Sequence, residues 1–236
     1  MTPAMSVIVP TWNEARYLPR LLESLRAQTV HGFEVIVADS GSMDGTVNIA
    51  RAAGATVVQG ERKGPGEGRN RGARAAIGDV LLFADADCLL PPTLVERVFA
   101  RLKDRTVIGG ATAFAPENGT RFEHVLFRAA TAYQRVMTEC GFPHNAGYCF
   151  FFRRAAFTRL GGLREDMLLN ETHDIAMRSR SLGRFVFLPV VVETSMRRFR
   201  KFGYARTIFV EYIASTLIYY VTGRTPSEQF RPKPAR

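Results

Sequence analysis

Cysteine is scarce. Cys88, Cys140 and Cys149 are the only three in 236 residues; they are scattered and odd in number, which argues against a disulfide framework, and they lack metal-type spacing, which argues against a zinc site. A reducing, cytoplasmic setting is therefore expected. The start of the chain lacks the charged, apolar and cleavage regions of a secretion signal, because Met5-Ser-Val-Ile-Val-Pro10 already reads as a strand. A membrane-spanning run is missing as well: Glu211 interrupts the apolar run over 208–221. Residues 207–221 as a helix would reach only about 22 Å at roughly 1.5 Å per residue, short of the roughly 30 Å hydrocarbon core. The net charge is +10, yet no nucleic-acid-binding motif accompanies it, so nucleic acid is not expected as a partner.

An apolar content of 46% over this length suits one buried core with a smaller appended layer. Periodicity alternates strands over 5–9, 33–39, 56–59 and 80–84 with helices over 16–28, 46–53, 69–76 and 92–103. Such alternation predicts βαβ units and a mostly parallel sheet, an α/β fold. After residue 103 the pattern loosens into a strand near 106–113, a helix near 122–137 and an aromatic segment over 145–152. The expected organisation is one domain over 1–200, with a nucleotide-binding half to about 104 and an acceptor half from about 105 to 200. A C-terminal amphipathic helix and mobile tail follow over 201–236.

In parallel sheets ligands sit beyond the carboxyl ends of the strands. Here those ends supply Thr11, Asn13 and Glu14, then Asp39, then Asp85 and Asp87. The greasy run Val80-Leu-Leu-Phe-Ala stops abruptly in the last two carboxylates, which are costly to bury unpaired. They either meet a hard divalent cation such as Mg²⁺ or Mn²⁺, or close an Asp-x-Asp turn on the local backbone.

Three motifs in order, Val7-Ile-Val-Pro-Thr-Trp-Asn-Glu14, Val37-Ala-Asp-Ser-Gly-Ser-Met-Asp-Gly-Thr46 and Phe83-Ala-Asp-Ala-Asp87, resemble the family 2 glycosyltransferases of the GT-A fold. The resemblance covers roughly residues 5–190. It implies a Rossmann-like, mostly parallel sheet flanked by helices, and a nucleotide-diphosphate sugar as donor. It implies further that Pro10, Thr11, Asn13, Glu14, Asp39 and Gly41 line the nucleotide pocket. Arg69 and Asn70, after the Gly-rich stretch 64–68, would face the donor with Asp85 and Ala86. Asp87, with Asp85 beside it, would ligate the metal. The family's second turn usually has two successive aspartates, whereas here Ser40 follows Asp39.

Asn170-Glu-Thr-His-Asp-Ile-Ala-Met-Arg178 resembles the family's Glu-Asp-x-Asp-Leu-x-x-Arg helix start, where an acid serves as general base. Thr172 stands where the aspartate of the Glu-Asp pair is usual, and a threonine hydroxyl cannot take a proton near neutral pH. Glu171 or Asp174 must then substitute; three residues apart, they are expected on one helix face. His173 is an alternative base or metal ligand. The same acids also suit a helix N-terminus for stability alone.

The cationic cluster Arg197, Arg198, Arg200, Lys201 and Arg206 directly precedes the apolar run. It predicts either an interfacial helix on anionic headgroups or a packing helix with a solvated basic face, and its cations could instead contact the donor diphosphate. The chain has neither the Gln-x-x-Arg-Trp motif nor the multiple transmembrane helices of processive members. The expected function is transfer of one sugar from the nucleotide donor to a hydroxyl acceptor, inverting and metal-dependent. The acceptor is expected to be lipid-linked and the protein peripheral at the inner face of the cell membrane. A catalytically silent nucleotide-sugar binder and a nucleotidyltransferase are the rival readings.

Overall fold

The computed structural model describes residues 3–225. Its centre is one eight-stranded sheet in the order β3 (Thr56–Gln59), β2 (Phe33–Asp39), β1 (Met5–Thr11), β4 (Val80–Ala84), β7 (Cys149–Arg153), β6 (Val107–Pro116), β8 (Arg184–Thr194), β5 (Cys88–Leu89). The first half supplies β1 (Met5–Thr11), β2 (Phe33–Asp39), β3 (Thr56–Gln59) and β4 (Val80–Ala84), all joined in parallel. Helices α1 (Leu18–Arg26), α2 (Thr46–Ala52) and α3 (Pro65–Ala75) make the crossovers. A two-residue strand, β5 (Cys88–Leu89), and α4 (Leu94–Leu102) follow. The second half adds β6 (Val107–Pro116), α5 (Arg121–Glu139), β7 (Cys149–Arg153), α6 (Arg154–Arg159), α7 (Glu171–Ser179) and β8 (Arg184–Thr194). β7 runs antiparallel between β4 and β6, and β6 pairs in parallel with β8, so both halves share one sheet.

Both faces of the central strands are covered, which is why they read as continuous apolar runs rather than alternating ones. Val7, Val9, Leu82 and Phe151 pack toward α1, α2 and α4. Ile8, Leu81, Phe83, Phe150 and Phe152 point the other way, toward Phe157 of α6 and Ile175 of α7, as a two-residue side-chain period requires.

Helix α3 starts at Pro65, four residues before the expected start at Arg69. Proline at the first helical position has the right φ and no amide to satisfy, so the Gly-rich stretch becomes the first turn instead of a loop. Gly72 then lets this helix approach β1, because a Cβ there would lie 2.5 Å from Ile8 Cγ2.

The C-terminal part forms α8 (Arg197–Phe202), a π-helical segment (Arg206–Ala214) and α9 (Ser215–Thr222). The single helix expected over 207–221 is thus present as one unbroken run over 206–222, π-wound in its first part and α-wound in its second. Thr207, Glu211 and Ser215, four apart, are the buried side of these segments, while Phe209, Ile213, Leu217 and Val221 are exposed. The amphipathicity is therefore inverted, with the polar stripe inward: Glu211 pairs with Arg198 at 3.2 Å and Ser215 accepts from Asn170 Nδ2 at 3.0 Å. Thr225 is buried, donating to Leu169 O at 3.0 Å; the rest of the expected mobile tail lies outside the described residues. No helix among the described residues is long and apolar enough to cross a membrane.

Candidate active site

The carboxyl ends of β1 and β4 and the turn after β2 open onto one cavity of about 1520 Å³, lined among others by Pro10, Thr11, Asn13, Glu14, Ser40, Arg69, Asp85, Ala86 and Asp87. Two loops are laced together at its rim. Asn13, at φ +55°, accepts from Met43 N at 2.8 Å while its own amide donates to Ser42 Oγ at 2.8 Å. Asp39 is fully buried and does not line the cavity. Its carboxylate accepts from Thr11 Oγ1 at 3.0 Å and from the amides of Gly41 and Ser42 at 3.1 and 2.9 Å, so it builds the turn. Gly41 supplies that turn's positive φ of +79° and is likewise not part of the wall.

Four acids converge, and two arginines hold them. Arg197 forks onto Glu14 through bonds of 2.7 and 2.8 Å, and its Nε lies 2.9 Å from Asp87 Oδ2. Arg69 lies 2.6 Å from Asp85 Oδ1 and 2.9 Å from Glu171 Oε1. Bidentate and shared guanidinium contacts of this kind offset the cost of desolvating carboxylates. Burial nevertheless pushes the Asp87 carboxyl up to about 7; Arg197 opposes that shift and the charges of Asp85 and Glu14 add to it. Glu14 and Glu171 are also raised by burial, against the pull of Arg197 and Arg69 respectively.

Among the described residues no group of three His, Cys, Asp or Glu side chains stands ready to hold a metal ion. The residues fit a cation in a narrower sense. Asp87 is a partly buried hard-oxygen ligand that already faces one positive charge, whereas Asp85 is turned to Arg69. A divalent ion at Asp87 would draw its remaining ligands from substrate phosphates and water, as Mg²⁺-type ions do.

The first turn of α7 separates the candidate bases. Glu171 and Thr172 line the cavity; His173 and Asp174 do not. The expected common face of Glu171 and Asp174 is corrected by their partners: Asp174 accepts from Arg178 Nε at 2.7 Å and from the Tyr219 hydroxyl at 3.2 Å. Thr172 donates to Asn145 O at 3.1 Å. His173 packs tilted against His144 and edge-to-face with Tyr219 and Tyr220, ring centroids 4.5, 5.2 and 5.4 Å away. Burial pushes its pKa down to about 3, so it is neutral at working pH.

Asn70 is also placed elsewhere than expected. Its amide donates to Leu163 O and Glu165 Oε1 at 2.8 and 2.9 Å and accepts from Leu163 N at 2.9 Å, pinning the 161–165 loop to α3. Three features of the wall have no local sequence signal. Arg197 reaches Glu14 across 183 positions; the Arg62 guanidinium lies 3.7 Å over the Trp12 ring; and the hydroxyls of Tyr148 and Tyr212 meet at 3.1 Å.

A sheet with three parallel strand ends at one cavity, an Asp-x-Asp pair in the turn directly after the fourth strand and an acid-bearing helix across from it defines the GT-A class. The chain belongs to glycosyl transferase family 2, whose model matches residues 6–161. It is 33% identical over 127 residues to glycosyltransferase AglE of Haloferax volcanii, a match covering 50% of this chain and 42% of that protein. It is 30% identical over 168 residues to the PGL/p-HBAD biosynthesis glycosyltransferase of Mycobacterium bovis, covering 62% of this chain and 65% of the relative. These matches thus span less than two thirds of the relatives' length. Among solved structures, the mannosyltransferase PcManGT of Pyrobaculum calidifontis, in complex with GDP-Man and Mn²⁺, superposes with a TM-score of 0.74 at 25% identity. That likeness covers 98% of this chain and 68% of the other.

Proposed function

We propose that this chain transfers a single sugar from a nucleotide-diphosphate sugar to a hydroxyl acceptor, with inversion at the anomeric carbon. The observation that carries the reading is the convergence of Glu14, Asp85, Asp87 and Glu171 on one cavity, with Arg69 and Arg197 as their guanidinium partners there.

Glu171 is the base of choice: it faces the cavity, and burial raises its proton affinity. Asp174 is engaged by Arg178 and Tyr219, and His173 is turned into an aromatic cluster. As the acceptor oxygen attacks the anomeric carbon, its proton passes to a Glu171 oxygen. The bond from the anomeric carbon to the diphosphate oxygen breaks, and that electron pair leaves with the diphosphate. Arg197, at the wall beside Asp87, is placed to meet the developing negative charge. Asp87 would hold a divalent ion, Mn²⁺ or Mg²⁺, which supplies further stabilisation of the leaving diphosphate. Mn²⁺ and GDP-Man in the structurally similar mannosyltransferase support both donor class and metal.

The test is a thermal-shift series with GDP-, UDP- and TDP-sugars, with and without Mn²⁺, on the native chain and Asp87→Ala, followed by product analysis. A metal-dependent rise with one donor, lost in the variant, and release of nucleoside diphosphate are expected. Pyrophosphate release from a nucleoside triphosphate and a sugar phosphate would replace this reading with nucleotidyl transfer. Binding without turnover under any acceptor would replace it with a silent sugar-nucleotide binder.

A further inference from the structure

The cavity does not end at the acids. Beyond Tyr148 it continues as an apolar arm between α5 and the C-terminal helices, walled by Leu126, Ala130 and Tyr133 on one side and Ile213, Leu217 and Tyr220 on the other. A nucleotide diphosphate has no use for such a lining. At the junction of the polar and apolar parts, His144 Nδ1 and Asn145 Nδ2 are buried and have no hydrogen-bond partner, although both residues line the cavity. Buried polar atoms left in this way are expensive unless a bound molecule satisfies them.

The two lips of the arm continue its apolar character outward. On α5, Phe122, Val125, Tyr133 and Val136 follow helical spacing and are all exposed, Val125 at 65%. On the opposite lip Phe209, Ile213, Leu217 and Val221 repeat every four residues, Phe209 at 64% and Val221 at 85% exposure. The inward polar stripe of Thr207, Glu211 and Ser215 forces this face outward. Contiguous exposed apolar surface of this kind marks a docking site. Cations frame it: Arg121 and Arg128 on α5, and Arg206 on the far lip, are exposed, while Arg135 pairs with Glu139 at 2.8 Å.

We infer that the acceptor of the proposed transfer is an anionic amphiphile, and that the two lips rest on a lipid surface from which its apolar chain enters between α5 and the C-terminal helices. The inference rests on the glycosyl-transfer reading and names the acceptor class of the same site. Three observations select lipid over other occupants. The arm is continuous with the cavity that holds Glu171, so a chain seated there delivers its polar end to the base. The basic frame is complementary to anionic headgroups. A second copy of this chain on the same face would instead bring two sets of arginines together, since a two-fold interface sets each patch against itself.

The experiment is flotation of the full chain with phosphatidylcholine vesicles and with mixed phosphatidylcholine–phosphatidylglycerol vesicles, alongside the double variant Val125→Glu/Phe209→Glu. Neither substituted residue touches the cavity, and both side chains are solvent-exposed, so folding is expected to persist. The native chain is expected to float with the mixed vesicles and to be released by salt. The variant should partition about tenfold less or weaker still. In a second arm, equilibrium dialysis should show binding of dodecyl phosphate but not butyl phosphate, and Leu217→Glu should abolish it. Native-chain flotation that is absent, unchanged by the double variant or insensitive to anionic lipid overturns the inference. So does a sedimentation-detected dimer dispersed by the same variant, which would make a second copy the occupant, or equal binding of the two phosphates. Donor-induced thermal shifts are read in parallel on native chain and double variant. If they are present while flotation and dialysis fail, this inference alone falls; if they are absent while flotation holds, the transfer reading falls instead.

Discussion

The two walls of the cavity treat polar groups in opposite ways. On the donor wall each of four carboxylates meets an arginine within hydrogen-bond distance, and the β1 and β2 loops hold each other through backbone-to-side-chain bonds. On the acceptor wall His144 Nδ1 and Asn145 Nδ2 have no partner, and apolar side chains of α5 and the C-terminal helices face outward. The carboxylates of the first wall have their counter-charges without ligand. The second is complementary to something apolar that the chain does not itself supply, and this is the arrangement expected where a common donor is paired with a particular acceptor.

The largest effect should come from Glu171, the one acid of α7 that faces the cavity. Glu171→Gln is expected to lower kcat by about 10²–10⁴-fold while the KM for donor moves little. Steady-state turnover checks this, and a nearly unchanged kcat would remove the base from this wall altogether.

Next is Arg69, the tie between β4's end and α7. Arg69→Met leaves Asp85 and Glu171 without their counter-charge in a buried setting and should cost about 3 kcal/mol in a urea titration. A loss well under that would show the donor wall to be less pre-organised than its geometry says.

Glu123 joins the acceptor wall to the site. It closes a capping box with Thr120 at the start of α5, accepts from Arg200 at 3.0 Å and from the Tyr204 hydroxyl at 2.6 Å. The Arg200 bond, with Tyr204 and Thr120 adding to it, holds this carboxyl down at about 2 against a usual 4.5. Because the folded value lies below the unfolded one, the unfolded chain binds the proton more readily. The stabilisation is therefore complete above about 4.5 and lost as pH falls toward 2. Glu123→Gln should cost about 1–2 kcal/mol near neutrality and flatten the acid limb of a melting-temperature profile.

The smallest change is expected for Tyr219→Phe, which deletes the hydroxyl bonded to Asp174. It should cost about 0.5–1.5 kcal/mol and leave kcat in place. A fall in kcat like that of Glu171→Gln would put Asp174 into the chemistry and redraw the boundary between the walls.

The donor wall was largely legible in the sequence because parallel strands end where their apolar runs end. The strand closing in Asp85, the turn after Asp39 and the Pro10–Glu14 stretch each announce themselves locally. Their individual uses were less so. Asp39 and Asn70 carry the same donors and acceptors whether they face a ligand or a backbone, and only the fold shows that both are spent on loops. In sequence Asp174 is equivalent to Glu171; in the fold Arg178, one turn on, and Tyr219, 45 positions away, claim it. The C-terminal run showed its composition but not its orientation. Which side of such a helix is inward depends on Arg198 and Asn170 meeting Glu211 and Ser215, contacts that no periodicity encodes.

The fork from Arg197 to Glu14 spans 183 positions, and that separation has a meaning in time. At ribosomal speeds of roughly 5–20 residues per second, Glu14 is synthesised about 10–40 s before its partner exists. During that interval the strands of the first half can assemble, with Arg69 beside Asp85, but Glu14 and Asp87 lack the guanidinium that later offsets them. A stretch made late thus settles the charge of one made early, and a product ending before Arg197 would leave Glu14 and Asp87 without the guanidinium that offsets them.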